Sequence, residues 1–248
     1  MDYVTFPNLE PFSELTHGMF SRLGGASKPP YHESNFRLDS NDDPAAVRET
    51  YRRAGMALGF SESRLVAGKQ VHGNEVRVVG KADAGIFWRE RPLCDGFVTN
   101  VKNLPLGVFG ADCQPILLYD PVTSAIGAVH AGWRGTVAQI VTEAVQTMQT
   151  EYGSCAEHLR VAIGPHIHSC CYEVSEDVAS QLGQIGPYVS LSSCVEQELK
   201  SRGVREEKVH ISPICTRCEH TRFWSHRAVA GGERGVCLAV IMLKEERK

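Results

Sequence analysis

The sequence has no long apolar run near its start and no excess of charge of either sign. It carries 26 Lys and Arg against 29 Asp and Glu, a formal net charge of −3 over 248 residues, which gives no broad basic surface for a phosphate backbone. Residues 1–20 contain three acidic groups, no Lys or Arg, and no apolar stretch long enough for a signal peptide or a membrane span. These absences predict a cytoplasmic protein with no nucleic-acid or membrane partner.

Several sequence fingerprints are also missing. Neither a P-loop nor a GxGxxG turn after a predicted strand occurs, which leaves no ATP or dinucleotide fingerprint. Because the chain has no internal repeat, low-complexity tract or Pro/Ser/Gly-rich linker, residues 1–248 are expected to form one domain. The nine cysteines are too few for a disulfide scaffold and odd in number, so in a reducing compartment each is expected to be a ligand, a nucleophile or a core residue.

Short apolar runs bounded by turn formers predict strands along most of the chain. These runs are RVVG, GFVTN, LGVFG, ILLYD, AIGAVH, LRVAIG and VCLAVIML. Helical patterns lie between and after them, without strict alternation. The expected fold class is therefore an α/β (α+β) sandwich, with mixed β-sheets flanked by helices.

Three helices are predicted. Residues 44–59 form an amphipathic pattern that Asn41, Asp42 and Asp43 precede, and another helix is expected to begin at Ser175, whose side chain can cap it. A third pattern covers residues 136–153 and is expected to pack on the sheet. Its apolar face consists of Val137, Ile140, Val141, Ala144, Val145 and Met148.

Cys113 and His130 lie at the two ends of a predicted hairpin in GVFGADCQPILLYDPVTSAIGAVHAGWRGT, residues 107–136. Cys113 precedes the run ILLY, and His130 ends the run AIGAVH, so the two are expected to be neighbours. His72 also follows a short apolar segment and precedes Gly73. One thiolate and two imidazoles form a set of zinc ligands that leaves one coordination position open. Zinc lowers the pKa of a water molecule bound at such a position to about 7.

Other interpretations of these residues stay open. Cys113 could be a nucleophile with His130 as its base, or both could be buried side chains that carry no chemistry. Asp112, directly before the cysteine, could orient a histidine or act as a general base. An Asp at a strand edge is also a common turn former.

Glycines surround Trp133 and Arg134 in HAGWRGT, just before the third predicted helix. Gly132 and Gly135 would let backbone amides approach a ligand at the helix N-terminus, a geometry that suits an anion, and Arg134 would add a planar guanidinium. Arg22 precedes paired glycines in the similar turn FSRLGGAS. We therefore expect a phosphate or another oxygen-rich substrate.

Two later segments are less informative. Ser225, His226 and Arg227 come before a glycine-rich turn and could close the site from a distant part of the chain. His166 and His168 follow Gly-Pro in a predicted loop and could line a cleft, although loop histidines are more often simply exposed. The roles of these three histidines stay open.

Two cysteine pairs are not expected to bind a metal. Cys215 and Cys218, followed by His220, imitate half of a zinc knuckle, but a second half with matching spacing is missing. Cys170 and Cys171 are adjacent, and adjacent side chains on a strand point to opposite faces.

The sequence resembles the laccase-domain family, whose members were first called multi-copper polyphenol oxidoreductases and are now described as purine nucleoside phosphorylases. The blocks that carry the resemblance are FSRLGG, ESNF, KQVHGNEV, CDGFVTN, GADCQPILLYDP, AVHAGWRGT, IGPHIHSCCYEV and the late CT…FWSHR. They run from about Phe20 to Arg227 in the family's order, and ADCxP followed by VHAGWRG is very specific. The resemblance implies that His72, Cys113 and His130 bind zinc.

The resemblance also implies a fold similar to that of some cysteine-dependent bacterial toxins, and more than one activity. One class is a zinc enzyme that cleaves adenosine, inosine and methylthioadenosine with phosphate to a base and a (methylthio)ribose 1-phosphate, and that deaminates adenosine. A second class is an amidase that removes a wrong amino acid from cytoplasmic peptidoglycan precursors, and a third is a copper-dependent polyphenol oxidase. The segments FRLDSNDDP and DGFVTN depart from the commonest family forms, which affects the substrate more than the metal.

The resulting prediction assigns catalysis to Cys113, Asp112 and His130 and a zinc cofactor, with copper as the alternative. Zinc-activated water would attack the purine C6 in deamination with Asp112 as proton carrier, and bound phosphate would attack the ribose C1′ in phosphorolysis. A laccase is less expected because it needs several coppers and only one ligand set stands out. The oligomeric state stays open. The residues predicted to bind the nucleoside and phosphate are Arg22, Asn35, Lys69, Gly132, Arg134 and Arg227.

Overall fold

The computed structural model describes residues 1–229 and 232–245. Residues 230 and 231, part of the glycine-rich turn after Arg227, lie outside the described residues. The strands in chain order are β1 (Tyr3–Val4), β2 (Leu15–Phe20), β3 (Val76–Val78), β4 (Gly96–Thr99), β5 (Leu106–Gly110), β6 (Gln114–Asp120), β7 (Ala125–Ala131), β8 (Arg160–Ile163), β9 (Val209–Ile211) and β10 (Cys237–Leu243). All seven predicted strands are present among them.

The helices in chain order are α1 (Pro44–Leu58), α2 (Ile86–Arg89), α3 (Trp133–Val137), α4 (Ile140–Tyr152), α5 (Glu176–Gln181) and α6 (Leu191–Ser201). Short 3₁₀ turns cover Glu62–Arg64, Lys81–Asp83, Ala156–His158 and Glu206–Lys208. As expected, α1 and α5 begin at acidic or hydroxyl caps: the Asp43 carboxylate accepts from the Ala45 N–H, and Ser175 Oγ accepts from the Val178 N–H. Within the described ranges, no helix has the length and apolar character needed to cross a membrane.

Two β-sheets form the centre of the fold. The first has four strands in the order β1-β2-β10-β5, and the second has six in the order β3-β4-β7-β6-β8-β9. The strand pairs of the first sheet are antiparallel. The second sheet is mixed, because β3 pairs with β4 and β8 with β9 in parallel while its other pairs are antiparallel.

The sheets pack face to face, and helices cover both outer faces. Along β10, Ala239 and Ile241 point into the core between the sheets, whereas Leu238 and Val240 point into the core beneath α1 and α2. α4 and α6 cover the outer face of the six-stranded sheet. These four layers confirm the predicted α/β (α+β) sandwich of mixed strands with helices on its outer faces.

β6 and β7 form the predicted hairpin. Their antiparallel register pairs Gln114 with Ala131 and Pro115 with His130. Because Cys113 directly precedes β6, it lies at the same end of the sheet as His130. The hairpin therefore brings the two predicted functional residues together.

The helix predicted over residues 136–153 is in fact two helices. α3 ends at Val137, Gln139 adopts a left-handed conformation with φ of 57°, and α4 begins at Ile140. The predicted apolar face is buried from Ile140 to Met148, but Val137 is 40% exposed, so its placement on that face was wrong. The break at Gln139 ends the helical periodicity, and Val137 stays outside the core.

His17 on β2 gives the fold a dependence on pH. It is 7% exposed and stacks on Phe6 at 5.8 Å between ring centroids. Burial lowers the pKa of His17 to about 4, Glu10 opposes this shift and Lys244 adds to it. The folded state therefore takes up a proton at lower pH than the unfolded state, and stability is lost as the pH falls from about 6.5 toward 4.

We expect His17→Gln to flatten this dependence. Between pH 7 and pH 5, protonation of His17 in the unfolded chain should remove about 2 kcal/mol from the free energy of unfolding. Urea unfolding at the two pH values measures the loss in the parent and in the variant. The exposed His220 provides the control, since His220→Gln should leave the loss unchanged; an equal loss in His17→Gln would contradict the assignment.

Candidate functional site

Three predicted residues meet at one end of the sandwich. His72 lies on a turn before β3, Cys113 lies between β5 and β6, and His130 lies in β7. Their potential ligand atoms all lie within 4.8 Å of one another, and the two imidazole rings meet edge to face with centroids 4.8 Å apart. The structure thus brings the predicted thiol and imidazoles into one cluster.

A buried carboxylate that the sequence analysis missed organises this cluster. Asp95, at the start of β4, accepts hydrogen bonds from the backbone N–H groups of residues 71, 72 and 73 at 3.1, 3.0 and 2.9 Å. The same carboxylate lies 2.8 Å from His130 Nδ1. Asp95 therefore fixes both the turn that carries His72 and the orientation of the His130 ring.

These contacts shift the pKa values of Cys113 and His130. Burial opposes ionisation of Cys113, but the charge and hydrogen bonds of His130 and His72 outweigh it and lower the pKa of the thiol. Burial likewise opposes protonation of His130, yet Cys113 and Asp95 raise the pKa of its imidazole. In the absence of a metal, the arrangement favours a thiolate beside an imidazolium.

The cluster fits a metal ion by the chemistry of its donors. One sulfur and two imidazole nitrogens are ligands that zinc binds, and three protein ligands leave a position open. Because Nδ1 of His130 contacts Asp95, its Nε2 remains as the donor, in the carboxylate–histidine arrangement common around bound metals. His72, Cys113 and His130 could therefore hold a metal ion.

Two glycines allow α3 to approach the cluster. A Cβ on Gly132 would lie 3.0 Å from both Cys113 Sγ and His72 Cδ2, and a Cβ on Gly135 would lie 2.9 Å from the Gly73 carbonyl oxygen. Gly132 precedes α3, as the sequence predicted, but α3 is a single short helix of five residues. Its glycines serve close packing against His72 and Cys113.

A cleft of about 280 Å³ adjoins the cluster. His72 belongs to both, so the cluster and the cleft are adjacent. Aromatic and basic side chains line the same cleft, and an aromatic wall next to cations suits a flat ring that carries or accompanies an anion. The lining residues that matter for this argument are Arg37, Lys69, Phe87, Arg91, Phe109 and Arg234.

Of the residues predicted to bind substrate, Lys69 lines this cleft and Asn35 supports one of its loops. Lys69 is exposed and lines the cleft. Asn35 is buried, and its amide donates to Ser40 Oγ at 3.0 Å and to Asp42 Oδ2 at 2.9 Å. Its Oδ1 accepts from the Arg37 N–H at 2.8 Å, so Asn35 holds the loop that presents Arg37.

Three predicted arginines lie elsewhere around the site. The Arg22 guanidinium stacks on Trp224 at 3.9 Å from the ring centroid and donates to the His220 carbonyl. The Arg134 guanidinium lies 4.4 Å from the Trp133 ring centroid. Arg227 donates to the Glu173 carbonyl at 2.7 Å. Their predicted roles in anion binding stay predictions.

Asp112 joins the loops around Cys113. Its Oδ1 accepts from Thr216 Oγ1 at 2.7 Å, its Oδ2 accepts from the Arg227 N–H at 2.8 Å, and its carbonyl accepts from the Ile167 N–H. Its backbone has a left-handed φ of 97°, an uncommon conformation for a residue other than glycine. These contacts give Asp112 a structural task, and its predicted part in proton transfer stays a prediction.

The three histidines with open roles lie on the loops beside Asp112. His166 is fully buried and its Nδ1 contacts the Gly164 carbonyl at 2.8 Å, so the expectation of an exposed loop histidine was wrong for it. Burial lowers the pKa of His166 to about 4. His168 lies next to it with ring centroids 4.5 Å apart, and His226 Nδ1 accepts from Arg234 Nε at 3.2 Å.

The two cysteine pairs set aside as metal sites come together in space. Residues 169–171 form a turn and not a strand, so Cys170 and Cys171 do not point to opposite faces. Their sulfurs lie 3.7 and 3.4 Å from Cys218 Sγ, and the four sulfurs including Cys215 Sγ lie within 4.8 Å of one another. Cys170 and Cys171, on a loop distant in the sequence, therefore lie next to the Cys215 and Cys218 pair, for which the sequence offered no second half.

Comparison with known proteins agrees with the earlier resemblance. A family model described as multi-copper polyphenol oxidoreductase laccase matches residues 16–244. The purine nucleoside phosphorylase YlmD of Geobacillus stearothermophilus is 33% identical over 95% of this chain and 93% of that protein, and its crystal structure matches with a TM-score of 0.90 over 95% of this chain and 94% of that one. The purine nucleoside phosphorylase ORF3 of Streptomyces griseus is 37% identical over 83% of this chain and 87% of that protein.

We expect Asp95→Asn to weaken metal binding at His72, Cys113 and His130 by about 10- to 100-fold, because an amide cannot accept from both the turn and His130 as the carboxylate does. Competition with a chromogenic zinc chelator measures the affinity. Asp83→Asn is the matched control, since Asp83 caps a 3₁₀ turn by accepting from the Gly80 N–H. Equal zinc affinity in parent and Asp95→Asn would contradict the role given to this carboxylate.

Proposed function

The chain belongs to the multi-copper polyphenol oxidoreductase laccase family, and within it we propose that the protein is a zinc-dependent purine nucleoside phosphorylase. The names of the relatives from Geobacillus and Streptomyces support an enzyme of this general class. The observation that carries the proposal for this chain is that His72 belongs both to the cluster with Cys113 and His130 and to a cleft that combines aromatic rings and cations.

The cleft supplies the two kinds of contact that phosphorolysis of a nucleoside requires. The partly buried Phe109 offers flat apolar surface to a purine ring, and the buried Phe87 packs behind it with ring centroids 5.7 Å apart. Lys69 and Arg37 offer positive charge to phosphate. Among the described residues, neither of these two side chains donates a hydrogen bond to another residue, so their donors remain available to an anion, whereas Arg91 pairs with Asp39 at 2.6 Å.

The reaction needs phosphate and ribose to be held in line. A phosphate oxygen forms a bond to the ribose C1′ as the bond from C1′ to the purine nitrogen breaks, and the electron pair leaves with the purine. Lys69 and Arg37 would hold the phosphate and offset its charge as it approaches. The aromatic wall would fix the plane of the leaving base.

His72, Cys113 and His130 would hold the zinc ion beside this cleft. Bound there, zinc supplies Lewis acidity to an oxygen or nitrogen atom of the substrate. Asp95 contacts Nδ1 of His130 and would leave its Nε2 for the ion, and the lowered pKa of Cys113 makes its thiolate available as a ligand at neutral pH. We propose zinc because three such ligands with an open position suit a catalytic zinc ion, and copper stays the alternative because one thiolate and two imidazoles also bind copper.

The finer parts of the proposal concern substrates and place of action. Adenosine, inosine and methylthioadenosine are the proposed substrates, and adenosine deamination is a proposed second activity at the same cluster. We propose that the enzyme acts on these small molecules in the cytoplasm. The odd number of cysteines, too few for a disulfide scaffold, supports a reducing compartment.

A second candidate function has its own supporting observation. The acidified thiol of Cys113 hydrogen-bonds with His130 and His72, which is the arrangement of a nucleophilic cysteine beside a base. That arrangement would suit an amidase acting on cytoplasmic peptidoglycan precursors. Oxidation of polyphenols with copper has less support, because the described residues form one histidine-containing cluster for a metal and a laccase needs several coppers.

The test of the proposal is phosphate dependence. The purified protein, incubated with inosine or adenosine, should release the free base and ribose 1-phosphate only when phosphate is present, as followed by chromatography. Release of base at the same rate without phosphate would contradict phosphorolysis. Release of an amino acid from a muramyl precursor, or oxygen uptake with phenols, would instead favour the amidase or the oxidase.

The proposed phosphate contact predicts a specific kinetic change. Lys69→Met should raise the KM for phosphate about 10- to 100-fold, because a charge-assisted contact to the anion is lost. The KM for inosine should change much less. Lys200→Met removes an exposed lysine from α6 and is the matched control. A KM for phosphate that is equal in Lys69→Met and in the control would remove Lys69 from the phosphate site.

The packing of α3 against the cluster predicts a second change. Gly132→Ala would push a methyl group against Cys113 Sγ and His72, and a displacement of about 1 Å at a reacting centre costs on the order of 100-fold in rate. We therefore expect kcat/KM for inosine to fall about 100-fold. Gly80→Ala places its methyl group in open space and should leave kcat/KM unchanged; an unchanged value in Gly132→Ala would show that the cluster tolerates the shift.

A further inference from the structure

Four cysteines from two loops form a cluster separate from the His72, Cys113 and His130 site. Cys170 and Cys171 lie on the turn that follows His168, and Cys215 and Cys218 lie on the loop that follows β9. All four sulfurs lie within 4.8 Å of one another. Cys170 and Cys218 are exposed, so an ion can reach the cluster from solvent, while Cys215 is buried.

The spacing of these sulfurs fits a metal ion better than disulfides. A disulfide requires about 2.05 Å between sulfurs, whereas Cys218 Sγ lies 3.4 Å from Cys171 Sγ and 3.7 Å from Cys170 Sγ. Four thiolates arranged tetrahedrally at about 2.3 Å from zinc lie about 3.8 Å from one another. These two separations are close to this value, and the other sulfur pairs lie within 4.8 Å.

A backbone donor at Cys215 provides a second observation. The His168 N–H, from the loop that carries Cys170 and Cys171, donates to Cys215 Sγ at 3.5 Å. Hydrogen bonds of this kind stabilise thiolate ligands of a metal. The contact also joins the two loops at the sulfur cluster.

The two loops that carry the cysteines also contact residues next to Cys113 and Asp112. Thr216, between Cys215 and Cys218, donates to Asp112, the residue before Cys113. Tyr172, directly after Cys171, packs its ring 5.0 Å from the Arg227 guanidinium. The apolar contacts available there belong to a small core that includes Ile167, Tyr172 and Cys215, so a metal bridge would add a strong constraint where little apolar packing exists.

We propose that Cys170, Cys171, Cys215 and Cys218 bind a structural Zn²⁺ that fastens these two loops together. On binding, the thiols give up their protons to solvent and the four thiolates fill the tetrahedral coordination of the ion. A closed set of four sulfurs leaves no position for substrate, which is the mark of a structural zinc site. Soft thiolate ligands favour zinc over magnesium, calcium or manganese.

Counting zinc in single-cysteine variants tests the proposal without any measurement of activity. Protein prepared under reducing conditions, without a metal-affinity column and with zinc supplied, should contain two zinc ions per chain by elemental analysis. Cys218→Ser and Cys170→Ser should each contain one. Cys155→Ser, which removes an exposed cysteine outside the cluster, should keep two. Two ions in the Cys218→Ser and Cys170→Ser variants would overturn the assignment.

Cobalt loading gives a second measurement that leaves the four cysteines intact. Co²⁺ bound to the Cys113→Ser protein, in which the other site has lost its sulfur, should show intense sulfur-to-cobalt charge-transfer absorption typical of thiolate ligation. Absence of that absorption would overturn the proposal, as would a disulfide among the four cysteines in the reduced, zinc-loaded protein by mass spectrometry. Because the readouts are metal content and absorption, they stand or fall separately from phosphorolysis.

Discussion

The buried carboxylate of Asp95 is the interaction on which the site depends. It accepts three consecutive backbone N–H groups from the turn at residues 71–73 and contacts His130 Nδ1. His72 has a left-handed φ of 63° in that turn, a conformation that a non-glycine residue adopts only when its surroundings hold it. The buried carboxylate of Asp95 thus stabilises the strained backbone at His72 and also fixes the orientation of the His130 ring. Because these hydrogen bonds share one acceptor group in a buried site, the loss of one weakens the others.

Asp112 plays the corresponding part on the other side of Cys113. Its left-handed backbone turns the chain sharply between β5 and β6, and its carboxylate and carbonyl accept donors from Ile167, Thr216 and Arg227. Cys113 therefore lies between two carboxylates with different tasks: Asp95 holds the histidines, and Asp112 holds the loops. The proposed zinc at the four cysteines would act on the same loops, since Thr216 lies within that cluster's Cys-x-x-Cys turn.

The sequence predicted those parts of the fold that have a local sequence pattern. Runs of β-branched and apolar residues identified β3 to β8 and β10, but not β2, because LTHGMF mixes Thr, His and Gly with apolar residues although all six are buried. The break at Gln139 has no local signal, because Gln rarely adopts a left-handed φ. Asp95 could have been found as a charge at the start of an apolar strand, whereas the approach of Cys170 and Cys171 to Cys218 is set by loop packing and leaves no periodic signal.

The sequence allows two anion sites, one at α3 and one at the cleft lined by Lys69, and the contacts of their positive charges differ. The expected site at α3 depends on a helix dipole, yet α3 has five residues, and its Arg134 lies against Trp133. Arg22 is similarly engaged with Trp224 and a carbonyl, and burial lowers the pKa of its guanidinium without removing its charge. Lys69 and Arg37, by contrast, line the cleft to which His72 also belongs. Because Lys69 and Arg37 donate no side-chain hydrogen bond among the described residues, we propose the anion site on the Lys69 side of the cluster, and the roles of Arg22 and Arg134 in anion binding stay predictions.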